Sequence, residues 1–288
     1  MADGPDTMPK QWLVTIRGCS IIRLTCYHIS VYSTNFYVVR RDEMISGRPL
    51  FPKHASISIG DGVYYSLRKN IITLNLKPGE PLNIKTISEK LNVSRTPVRD
   101  ALIKLAKEGL VDVIPQKGTS VSKIDLKRVE EERFLRESLE LRAIEIFIGI
   151  QKESDIARMR SVLEIQKECA AKNDLVALQE YDDEFHKVFF TATEKETCWD
   201  IIQSMSGHYS RIRLISLFER PIIDKVIDQH EKLLDCIIRH DVPEALSVFK
   251  DHSSRILDEE KELTEKYPEY FKLQPDNNFL MQDFLSIM

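Results

Sequence analysis

The chain lacks a long apolar run. No stretch of 18 or more apolar residues occurs, because Arg17 and Arg23 interrupt the one candidate near the start, so a membrane-spanning helix is not expected. Glycine and proline are scarce, 10 and 12 in 288 residues, which argues against a loop-rich or all-β fold and for helices with short connections. The five cysteines, Cys19, Cys26, Cys169, Cys198 and Cys236, are odd in number and scattered, without a CxxC pair. That excludes a disulfide scaffold or a thiolate metal finger and fits free thiols in a reducing cytoplasm. There is no secretion signal, Gly-rich phosphate loop, nucleophile elbow, internal repeat or low-complexity tract.

What is present is unevenly charged. The net charge of −4 divides into +5 over residues 61–124, +3 over 1–60 and −12 from Asp125 onward. A basic segment suits a polyanion, and an acidic one can supply metal-binding carboxylates. The length suits two cores. Residues 1–53 carry an apolar, β-branched run with no clean period, unlike the Lys/Glu/Leu-rich chain that follows. Met44 precedes a polar leader, so the expectation is a natural start at or near Met44, with 1–43 an upstream extension.

The regular pattern begins at Asp61. Val63, Leu67, Ile71 and Leu74 recur at helical spacing, and Lys77-Pro78-Gly79 ends that helix. Thr86–Leu91 is a short helix, and Asn92-Val93-Ser94 a turn in which Asn tolerates the left-handed conformation. Ser94 is placed as an N-cap with Pro97 in the first turn of the next helix, which Gly109 stops. Leu110–Ile114 and Thr119–Ile124 read as two strands around Pro115-Gln116-Lys117-Gly118. The whole over 54–124 is a winged helix-turn-helix. Its second helix would enter the DNA major groove by its N-terminal end, where Arg95, Thr96 and Arg99 stand; arginine can bind guanine bidentately or pair with phosphate. Lys85 is placed for a backbone contact, and Lys117 and Gly118 for the wing tip.

From Asp125 on, helices are expected near 126–149, 153–172, 174–193, 196–217, 222–239 and 242–266, six in an antiparallel bundle. The fold class is thus mainly α, an N-terminal winged helix-turn-helix followed by an all-α bundle over 125–266. The tail, 267–288, is either a strap over the bundle or a loosely docked end. Within the bundle, Asp182 and His186 lie at i and i+4 on one helix face. His230 and His252 fall on the last two helices, which a hairpin brings alongside. One carboxylate and three imidazoles suit Zn, Ni or Mn, with open positions left on an octahedral ion for a small carboxylate. Spacing alone leaves the alternative open, since seven histidines in 288 residues yield such pairs by chance. Arg136 and Arg213 are the candidate clamps for an acid.

The string SRTPVRDAL…L…GLV…GT.V, with DGVYYSLRKNIITLNLKPGEPLN before it, resembles the DNA-binding domain of the GntR family of bacterial transcription regulators. That resemblance implies operator contacts at Arg95, Thr96 and Arg99 and a wing glycine at Gly118. RESLELRAIEI, YDDEFHKVFF and QHEKLLDCIIRHDVPEALSVFKDHSSRI resemble, more loosely, the FCD or FadR-type subgroup. The subgroup resemblance implies metal ligands at Asp182, His186, His230 and His252, and an effector that is a small organic or sugar acid rather than an acyl-CoA. Together they imply a homodimeric, cytoplasmic repressor on a palindromic operator in double-stranded DNA. Two alternatives stand beside it: a metal-dependent hydrolase-like enzyme, for which no general base is evident because Glu184 turns away from the Asp182/His186 face, and a DNA-binding protein without ligand control.

Overall fold

The computed structural model describes residues 58–272 apart from 115 and 117. The start proposed at Met44, the segment 1–53 with it, Lys117, and the tail beyond Lys272 therefore lie outside the described residues. Ten α-helices and one two-stranded sheet make up the described part.

Helix α1, Ile59–Ile72, is capped by the Ser58 hydroxyl, which accepts from the Asp61 amide. It buries Val63, Leu67 and Ile71. Leu74 does not continue that face: the helix ends at Ile72, and Leu74 sits beyond it at φ +58°, packed instead against a second cluster near the bundle. Helices α2, Ile84–Leu91, and α3, Arg95–Lys107, form the helix-turn-helix. Asn92 takes the left-handed conformation between them at φ 51°. Asn83 caps α2 through its side chain; Ser94 has N-cap backbone geometry before α3 but makes no side-chain cap bond. Strands β1, Val111–Ile114, and β2, Gly118–Val121, pair antiparallel with Val111 opposite Val121 and Ile114 opposite Gly118. Pro81 bridges to Ser120 at the edge of the hairpin. Val98, Leu102 and Leu105 of α3 meet Leu67, Ile71 and Ile87 in one small core.

Seven helices follow: α4 Leu126–Ile150, α5 Glu153–Lys172, α6 Leu175–Ala192, α7 Glu196–Ser204, α8 Gly207–Ser216, α9 Arg220–Ile238 and α10 Val242–Lys266. The stretch expected as one helix over 196–217 is two, interrupted at Met205-Ser206. A Cβ on Gly207 would stand 2.6 Å from Leu110 Cδ2, so a glycine at the start of α8 lets that helix pack closely on Leu110. Pro221 does not break a helix but sits in the first turn of α9, where its missing N–H costs nothing. Phe147, Phe185, Phe189 and Phe249 fill the bundle core.

The tail divides. A short 3-10 turn, Pro268–Tyr270, leads to Phe271, which bridges in parallel to Ile124. Ile124 N–H donates to Tyr270 O at 2.8 Å and Lys272 N–H to Ile124 O at 2.9 Å. This short strap therefore pins the connection between wing and bundle. Among the described cysteines, Cys169, Cys198 and Cys236 are free.

Candidate DNA surface and buried metal centre

Arg95, Thr96 and Arg99 are exposed on the first turns of α3, and neither arginine forms an ion pair with a described residue. Their heads are therefore uncommitted among the described residues. Lys85 is exposed on α2 with Glu89 at 4.0 Å, too loose to hold it. Gly118 adopts φ +104° with open space where a Cβ would go, so a close approach of backbone to a ligand is possible there, and L side chains disfavour that conformation.

The bundle brings Asp182, His186, His230 and His252 together. One ligand atom from each lies within 4.8 Å of all the others. His186 Nε2 is 3.3 Å from His230 Nε2 and 3.8 Å from Asp182 Oδ2; His230 Nε2 is 3.5 Å from Asp182 Oδ1. Helix α6 supplies the first two by its i,i+4 spacing, α9 and α10 the others.

The opposite ring nitrogens are held from outside. His230 Nδ1 donates to Gln166 Oε1 at 2.8 Å, His252 Nδ1 to Gln229 Oε1 at 3.2 Å, and His186 Nδ1 closely approaches Glu140 Oε2 at 2.9 Å. The two glutamines place the protons of His230 and His252 on Nδ1 and turn their Nε2 lone pairs inward, the arrangement that outer partners impose on metal-binding histidines. Burial pushes His230 down to about 3, only partly opposed by Asp182, and burial followed by the neighbouring His230 holds His252 well below its usual range. Burial pushes the Asp182 carboxyl up, but Arg213 and the three imidazoles outweigh it and hold it well below the ordinary value. Neutral imidazoles at His230 and His252 and an ionised Asp182 carboxylate are the deprotonated donors a divalent ion requires. The inward lone pairs repel one another unless a cation lies among them, so the residues present fit a metal ion.

Arg136 and Arg213, expected to face an acid, are both buried and committed to carboxylates of the chain. Arg136 Nε donates to Glu140 at 2.7 Å and Nη1 to Asp183 at 3.0 Å. Arg213 donates to Asp183 at 3.0 Å and makes a short contact with Asp182. Beside them lies a cavity of about 10 Å³ lined by Leu178, Gln179, Asp182, Arg213, Leu217, Val226 and Arg255. That holds roughly one water; anything larger must displace an arginine.

Glu140, Gln166 and Gln229 escaped the sequence reading, because only the pairing of helices reveals what faces a histidine's far nitrogen. His208 also escaped it. It is buried at the start of α8, where its Nδ1 accepts from the Asp125 amide at 3.0 Å and its Nε2–H donates to Gly109 O at 3.0 Å.

A winged helix joined to an all-α bundle is the architecture of a DNA-binding protein with a second, helical domain. Residues 59–121 match the model of "Bacterial regulatory proteins, gntR family", and residues 133–255 match that of the FCD domain. A Streptomyces ambofaciens HTH-type transcriptional regulator, in an unstable DNA locus, is 32% identical over 212 residues, 73% of this chain and 88% of that protein. The HTH-type transcriptional repressor RspR of Escherichia coli is 26% identical over 213 residues, 74% of this chain and 93% of its own. The solved structure of E. coli McbR/YncC superposes with a TM-score of 0.61 at 20% identity, over 74% of this chain and all of that one. The chain belongs to the GntR family and carries an FCD domain; it is a transcriptional regulator and not an enzyme. No helix among the described residues is long and apolar enough to cross a membrane.

Proposed function

We propose that the protein is a homodimeric repressor whose bundle holds a divalent metal ion, Zn, Ni or Mn, at Asp182, His186, His230 and His252. A small organic or sugar acid completes the ion's coordination and releases the operator. The carrying observation is the convergence of Asp182, His186, His230 and His252, with the far nitrogens of the three imidazoles facing Glu140, Gln166 and Gln229. A chance cluster of histidines has no reason to be oriented by three separate outer groups. Bound there, the ion would act as a Lewis acid that anchors a carboxylate. The small cavity beside Asp182 supports the response: an acid entering it must compete for Arg213 or Arg255.

Arg95, Thr96 and Arg99 read the major groove, with Lys85 and the wing at Lys117 and Gly118 on the phosphate backbone. A twofold dimer dictates a palindromic site. Phe134 on α4 and Met205 just after α7, 63% and 50% exposed, are apolar surface that a second copy would cover. Repression is the activity that the name of RspR states for that relative, and it fits an acid that loosens DNA binding. The test is fluorescence anisotropy on DNA from upstream of the gene itself, with Zn²⁺ present and a panel of small carboxylates added. A weakening of binding by one acid, dependent on metal, is expected. Binding that is indifferent to every metal and acid would leave a regulator without a ligand.

A further inference from the structure

A chain of polar contacts runs from the Asp/His cluster to the last turn of the recognition helix. Asp183 follows the cluster residue Asp182 but faces elsewhere. Its Oδ1 accepts from Arg136 and Arg213, each at 3.0 Å, and its Oδ2 accepts from Gln203 Nε2 at 3.3 Å. Gln203 lies at the end of α7, just before the interruption at Met205-Ser206. The carbonyls of a last helical turn have no intrahelical partner, and the Gln203 carbonyl accepts instead from Arg68 Nη2 at 2.6 Å. Arg68 Nε donates in turn to Glu108 Oε2 at 3.1 Å. Glu108 is the C-cap of α3, and its other oxygen accepts from Tyr64 at 2.5 Å.

The same short segment is gripped from α8. His208 takes the carbonyl of Gly109, Gly207 packs on Leu110, and Arg211 donates to the carbonyl of Ser122 at 2.6 Å. Arg213, five residues beyond His208 on that helix, is the group that holds both Asp182 and Asp183. The cluster and residues 108–110 are therefore linked twice, once through Gln203 and Arg68 and once along α8. The polar contacts of Gln203 and Arg68 go to Asp183, Glu108 and each other's segment, not to the four cluster residues.

We propose that Gln203 and Arg68 are positioning residues that set the recognition helix according to the occupancy of the metal cluster. The inference rests on that cluster holding a divalent ion. A cation among the imidazoles competes with Arg213 for the lone pairs of Asp182, so Arg213 redistributes its donors toward Asp183. Asp183 shares its charge among two arginines and the Gln203 amide. A firmer hold by Arg213 weakens or re-aims the amide, and Gln203 carries the Arg68–Glu108 pair on its own backbone. The break between α7 and α8 is what leaves that carbonyl available.

Proximity along a path is not coupling, and coupling is what must be measured. The experiment is amide hydrogen exchange on the full chain with and without saturating Zn²⁺, the bound metal being counted in the same samples. In the unaltered protein, Zn²⁺ should change exchange across residues 108–111 by about 5-fold or more, the lower end of usual allosteric coupling. Gln203→Ala cuts the link to Asp183 but keeps the backbone carbonyl. It should bring that response below about 2-fold while Zn²⁺ affinity stays within about 3-fold, a combination that merely structural damage would not give. Arg68→Ala cuts the far end of the same link and serves if the first variant does not fold. An unchanged response in the variant, or no response in unaltered protein carrying its metal, overturns the relay alone. Failure of the unaltered protein to bind Zn²⁺, Ni²⁺ or Mn²⁺ overturns the metal site and the relay with it.

Discussion

The imidazole of His208 spans the joint between the winged domain and the bundle, with Nε2 3.0 Å from the Gly109 carbonyl and Nδ1 3.0 Å from the Asp125 amide. Arg211 also donates to that Nδ1, at 3.1 Å. The two donors on one nitrogen define the tautomer: Nδ1 carries the lone pair and Nε2 the proton. His208→Ala would strand the half-buried Asp125 amide, while the Gly109 carbonyl keeps the Ser122 hydroxyl at 2.6 Å. The expected cost is about 1–3 kcal/mol for the unsatisfied amide and the lost bonds, read as a lowered denaturation midpoint in urea.

The same contacts make the joint sensitive to acid. Burial, then Arg211 and Arg128, push His208 from 6.5 down to about 3, so the folded state favours the neutral ring. Its contribution is complete above pH 6.5 and is lost as pH falls toward 3. Glu132 works the other way. Burial pushes it from 4.5 up to about 7 against the opposing amides of Tyr209 and His208, so its ionisation costs stability above 4.5, and that cost is relieved as pH falls from 7. The stability difference between the unaltered protein and His208→Asn should therefore shrink as pH is lowered from 6.5 to 4. The difference for Glu132→Gln should instead be largest near neutrality, favouring the variant. Parallel urea titrations at several pH values check both, and a difference for His208 that does not change with pH refutes the first.

Gln166→Ala leaves all four cluster residues in place but frees His230 Nδ1. Loss of an outer partner of this kind typically lowers metal affinity by about 10–100-fold. Competition with a chelator measures it. Affinity equal to that of the unaltered protein would mean that Gln166 orients nothing.

Arg95→Ala removes an exposed, uncommitted guanidinium from the start of α3. About 1–3 kcal/mol of specific operator affinity should go, with sequence preference relaxed. Anisotropy titrations on operator and scrambled DNA at one salt concentration separate this from a loss of phosphate contact alone, in which both affinities fall together.

The readability of the sequence followed the locality of the cause. The α2–α3 turn is legible because Asn92, Ser94, Pro97 and Gly109 each answer a backbone demand within a few residues. Asp182 and His186 are legible because i,i+4 spacing puts them on one face whatever else the chain does. The close packing at Gly207 is not, because its partner is Leu110, almost a hundred positions earlier in the chain. Glu140, Gln166 and Gln229 are invisible for the same cause. A glutamine on an amphipathic helix becomes an imidazole's partner only once α5, α6 and α9 have packed. Nothing in the sequence around His208 marks it, and its work at the joint shows only where the Gly109 and Asp125 backbones arrive.

On the proposal, Asp182, His186, His230 and His252 bind metal and through it govern DNA binding. The most direct measurement is metal content and operator affinity of the same purified samples, unaltered and His230→Ala. The unaltered chain should carry about one divalent ion per subunit and should lose operator affinity when a small acid is added. The variant should carry none, yet bind the operator with basal affinity and ignore the acid. A His230→Ala protein that retains one ion per subunit, or that still responds fully to the acid, would contradict the account.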